Sequence, residues 1–120
     1  MPHTRPPDAE ALMADAIRAV VDRVLTDQHP LPRRLDEDTI VLRAQVSELV
    51  NAVADSVRNL PSDSDLRKVA LLAIAEAQRK LRAGPGHNLD SASRYARQLA
   101  RCANALLHHF EAIADQAPIP

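Results

Sequence analysis

The 120-residue sequence has one cysteine, two glycines, no tryptophan and one each of phenylalanine and tyrosine, and each scarcity removes a class of chemistry. Cys102 has no second thiol to meet, so an intrachain disulfide and a cysteine-based zinc site are excluded. Aromatic residues make up 2% of the chain, which argues against a large aromatic ligand cage and leaves the core to Ala, Val, Leu and Ile. Small side chains let helices approach closely. Long hydrophobic runs are also missing: the longest, Val69 to Ala75, is far short of a membrane span. Met1 to Pro7 is polar and proline-rich with no apolar signal region, so the expectation is a cytoplasmic chain with no membrane partner.

What is present is helical patterning. Hydrophobic residues make up 46% of a chain with net charge -1, enough for one core, and most of the nine prolines lie in the tail or between apolar periodic stretches. From Asp90 to Ala117, Ala92, Ala96, Leu99, Ala103, Leu106, Phe110, Ile113 and Ala117 recur at alternating spacings of four and three, the seam of a helix packed on other helices. Three further helices are expected. The first, from about Asp8 to Asp27, carries the ridge Met13, Ile17, Val20 and Val24, flanked by Leu12, Ala16, Val21 and Leu25. That width implies two neighbours, or one neighbour and a second subunit. Pro30, Pro32, Arg33 and Arg34 make a stiff connector, after which Asp36, Glu37 and Asp38 suit the start of the second helix. Its stripe is Leu42, Val46, Leu49, Val53 and Leu60, widened by Val50 and Val57, with Ser56 standing at an apolar position.

Pro61 ends the second helix, and Ser62 with Asp65 has capping-box spacing for a third, from about Asp63 to Ala83. Its buried set is Leu66, Ala70, Ala73, Ile74, Ala77 and Leu81, broadened by Val69, Leu71 and Leu72. Gly84 and Pro85 stop it, and Asn88 or Asp90 caps the seam helix. The expected fold is all-α: an antiparallel up-down-up-down four-helix bundle over residues 8–117, with a flexible lead at 1–7 and a flexible tail at 118–120. The alternative is a helical hairpin pair completed by a second chain.

No catalytic constellation emerges. His108 and His109 are adjacent, and neighbours on a helix point about 100° apart, so they cannot chelate one metal. The Glu-x-x-His repeat of di-iron bundles is absent, because Ala105 and Leu106 stand three residues before the two histidines. No metal and no other cofactor is expected. Gly84-Pro85-Gly86 follows a helix and lacks the Lys and Ser or Thr of a phosphate loop, so it reads as a turn. Tyr95, Cys102 and His109, spaced seven apart, line one edge of the seam helix and could border a small pocket. Seven residues is about 10 Å, too far for Cys102 and His109 to act as nucleophile and base.

Charge is unevenly distributed. Between Ala77 and Leu107, Arg79, Lys80, Arg82, Arg94, Arg97 and Arg101 face Asp90 alone, whereas the first two helices are dominated by Asp and Glu. This set forms a candidate anion or partner patch beside a helix N-terminus, or a solvated face. Nucleic acid is disfavoured by the near-neutral net charge and the lack of interleaved aromatics.

The run Val69-Ala70-Leu71-Leu72-Ala73-Ile74-Ala75-Glu76-Ala77-Gln78-Arg79-Lys80-Leu81, Arg43 within Leu42-Arg43-Ala44-Gln45-Val46, and Tyr95-Ala96-Arg97-Gln98-Leu99-Ala100-Arg101 with Asn104-Ala105-Leu106 resemble a group of small actinobacterial helical proteins. That group is a domain-of-unknown-function family often labelled natural-product biosynthesis protein, and the resemblance spans about residues 36–114. It implies an actinobacterial cytoplasm near specialised-metabolite genes and brings no catalytic residues. The resulting expectation is an interaction or regulatory module that binds a protein partner or forms a homodimer. The alternative is an accessory enzyme or small-ligand-binding protein with a pocket edged by Tyr95, Cys102 and His109 or by the arginines. A third reading is nucleic-acid binding through Arg79, Arg82, Arg94, Arg97 and Arg101.

Overall fold

The computed structural model describes residues 9–116, which form four α-helices and, among the described residues, no strand. These are α1 (Ala9–Thr26), α2 (Pro32–Val57), α3 (Asp65–Ala83) and α4 (Leu89–Asp115). The lead, the tail and the final seam residue Ala117 lie outside the described residues. The packing is compatible with a bundle, and it is uneven. Among the described residues, α2 and α4 share the largest interface, each of α1 and α3 packs against both of them, and α1 and α3 do not touch.

Side-chain size explains the central pair. Along α4, Ala96, Leu99, Ala100, Ala103, Leu106 and Leu107 are buried, and Leu42, Val46, Leu49, Val53 and Val57 of α2 are buried with them. The alanines bring α2 close, and the leucines fill the remaining space. With α1 and α3 spread to either side, the molecule is flat, 51 × 37 × 19 Å. Ser56 interrupts the stripe of α2 without leaving its hydroxyl unpaired, because Oγ donates to the Ala52 carbonyl at 2.9 Å.

Four local expectations change. Helix α2 begins at Pro32, since proline needs no amide partner in the first turn and extended Leu31 precedes it. The connector is therefore shorter, and Asp36, Glu37 and Asp38 fall past the first turn. Helix α2 ends at Val57, so Leu60 sits half-buried in the following turn. The cap of α3 is Ser64, whose hydroxyl accepts from the Arg67 amide at 3.2 Å; Ser62 and Asp65 do not form the cap. On α1, Val21 is buried, whereas Leu12, Ala16 and Leu25 are exposed, so its apolar face is narrower than its sequence suggests.

The turn into α4 agrees with its pattern. Gly84 and Gly86 both have positive φ, 77° and 80°. Asn88 caps α4: its Oδ1 accepts from the Ser91 amide at 2.8 Å, while Ser91 Oγ accepts from the Asn88 amide at 3.2 Å. Among the described residues, no helix is long and apolar enough to cross a membrane.

Candidate functional site

The row Tyr95, Cys102 and His109 does not border one pocket. Tyr95 is buried and its hydroxyl accepts from Arg43 Nη1, joining α2 to α4. Cys102 is half-buried in a cleft of about 290 Å³ between α3 and α4, beside Lys80 and Ala73. His109 is half-buried and borders a different hollow of about 400 Å³, toward Arg18 of α1. A straight helix drifts by about 20° per heptad, so the row winds from the core toward the surface.

Neither reactive side chain is activated. Burial pushes the Cys102 thiol above its ordinary pKa, and the opposing pull of Lys80 is smaller. Burial, helped by His108, lowers His109, whose Nδ1 is buried without a hydrogen-bond partner. The two histidine rings meet edge to face, with centroids 5.9 Å apart. Among the described residues, no three His, Cys, Asp or Glu side chains converge as metal ligands.

The basic set is distributed over several surfaces. Arg79 and Lys80 both reach Glu76, Lys80 at 3.6 Å. Lys80 and Arg101 line the α3–α4 cleft together. Arg97 turns the other way, and its Nη2 donates to the Asp27 carbonyl at 3.3 Å. Arg82 and Arg94 are exposed. Much of this charge is thus paired or directed toward different neighbours.

Two further arginines hold helices together at sites the sequence reading passed over. Arg18 Nη2 reaches both carboxylate oxygens of Glu111 at 2.6 and 2.7 Å on the surface. Arg23 clamps Asp38 with Nη2 at 2.6 Å and Nε at 3.2 Å, and Asp38 is the one buried charged residue among the described residues. A paired carboxylate accounts for that burial.

Several large apolar side chains are left in solvent, among them Leu12, Leu31 and Ile40, and on α3 three of them fall within four residues. Its fully buried set is Ala70, Ile74 and Ala77, while Val69, Leu71 and Leu72, expected to broaden the inner face, are 45%, 43% and 70% exposed. Leu72 is the centre of an outward ridge with Val69 on one side and Leu71 and exposed Ala75 on the other. Counting outward from Ala70 and Ala77 at 100° per residue would have located it, because Leu72 falls across the helix from both.

A family model covers residues 15–115, which takes in α2, α3, α4 and most of α1. The chain belongs to a family of unknown function, DUF6415. Its shared region contains the exposed α3 ridge as well as the α2–α4 core. No curated protein and no solved structure matches the chain.

Proposed function

We propose that this chain is a small helical interaction module, an antiparallel up-down-up-down bundle that docks the outer face of α3 on a protein partner or on a second copy of itself. The observation that carries the reading is Leu72, a large apolar side chain 70% exposed beside Val69 and Ala75 on a face that also carries Lys68 and Glu76. Contacts between helices support the topology. Arg18 meets Glu111 while the later residue Asp27 meets the earlier residue Arg97, the order expected of opposed α1 and α4. Arg67 at the start of α3 donates to the Val57 carbonyl at the end of α2 at 2.8 Å. The natural-product setting implied by the resemblance belongs to the same proposal, with a cytoplasmic partner chain as target.

A photo-crosslinking residue in place of Leu72, activated in the native cell, tests the reading. The expected product is an adduct of discrete mass that a Val69→Glu change abolishes. A folded protein that gives no adduct would contradict it.

The second reading, small-ligand binding, is favoured by the α3–α4 cleft, where Cys102, Lys80, Glu76 and Arg101 border a largely apolar floor. A thiol raised by burial argues for binding rather than nucleophilic chemistry there.

A further inference from the structure

We infer that the occupant of the α3 face is a second copy of this chain, with the two α3 helices side by side and antiparallel about a two-fold axis at Leu72. The inference rests on the interaction-module reading and identifies the partner. Its basis is the placement of charge on the outer face of α3, where Asp65 and Lys68 precede Leu72 and Glu76 and Arg79 follow it. An antiparallel pair centred on Leu72 sets these four positions opposite unlike charges, whereas a parallel pair lays like on like.

The match extends to individual positions. With Leu72 facing its own copy, each residue before it meets the residue equally far after it on the other chain. Lys68 then meets Glu76, Asp65 meets Arg79, and Val69 meets Ala75. Lys68, Asp65, Arg79 and Ala75 are exposed, and Glu76 is half-exposed, so all are available. The Arg79 to Glu76 pair within one chain is a surface pair that can exchange partners at little cost. This arrangement is isologous, so it closes at two copies and does not propagate. A single helix face of 19 residues is about 28 Å long and sits at the small end of stable interfaces, so micromolar association is expected.

The test uses the purified chain with K68E and E76K as single variants, followed by sedimentation across micromolar concentrations. Wild type is expected to dimerise, and each single variant to dimerise at least about tenfold more weakly, because like charges then face each other. Mixing the two variants is expected to restore the dimer. The carboxylate introduced by K68E on one chain then meets the ammonium introduced by E76K on the other, and the unchanged Glu76 of the first chain meets the unchanged Lys68 of the second. A wild type that stays monomeric overturns the inference, as does a dimer that neither variant weakens or a mixture that fails to recover. The module reading fails differently: it falls only if position 72 also gives no adduct in the native cell.

Discussion

Helices α3 and α4 lie against each other and are both rich in alanine and arginine, yet they handle their apolar residues in opposite ways. Helix α4 places Leu99, Leu106 and Leu107 inside, at 0–2% exposure, and has Leu89 at its first turn as its only strongly exposed large apolar side chain. Helix α3 buries one large side chain, Ile74, between two alanines and leaves Val69, Leu71 and Leu72 in solvent. Burying a leucine is worth about 1.5–3 kcal/mol, so the fold draws heavily on α4 and little on the outer half of α3. Apolar surface that stability does not require is available for contact with another molecule.

The largest expected effect breaks the inner member of the comparison. Leu106→Asp puts a carboxylate at a fully buried position and should cost on the order of 5 kcal/mol, read as loss of the cooperative thermal transition and of soluble yield. Leu99→Ala should lower stability by about 2–5 kcal/mol in urea titration, through the cavity it leaves. Next comes the turn between the two helices. A Cβ at Gly86 would lie 2.5 Å from Ser91 Oγ on a backbone of φ 80°, so Gly86→Ala should cost about 1–3 kcal/mol and weaken the α4 cap.

A smaller effect depends on pH. The folded chain holds His109 below its ordinary pKa of 6.5, so the unfolded chain takes up that proton first as pH falls. The contribution of His109 to stability is therefore present above 6.5 and lost as pH drops through the lowered folded value. His109→Asn should flatten the fall in melting temperature across that window. The smallest effect belongs to the outer face: Leu72→Glu should change stability by no more than about 0.5 kcal/mol while removing association.

The comparison also marks how far the sequence could be read. The seam of α4 was legible because alternating four- and three-residue spacing places Ala96, Leu99, Ala103, Leu106 and Ile113 on one line, and all are buried. The inner edge of α3 was legible in the same way, since Ala70, Ile74 and Ala77 are buried and Leu66, Ala73 and Leu81 pack partly against the core. Its width was not, because Val69 to Ala75 is apolar on every side and periodicity cannot say where the buried face stops. The start of α2 was misplaced because Pro32 can initiate a helix as well as block one. The candidate pocket row followed heptad spacing, which is one line on paper and a slow spiral on a straight helix. The Arg23 to Asp38 and Arg18 to Glu111 pairs carry no sequence signal, because each joins two different helices and the periodicity within a helix does not register a partner on another.

Radical footprinting of leucine side chains, performed on the purified chain too dilute to self-associate, measures the contrast between the two helices directly. Strong labelling of Leu71 and Leu72 and protection of Leu99 and Leu106 are expected. Protection of Leu72 in the monomer, or labelling of Leu99 and Leu106 at the same rate, would contradict that contrast.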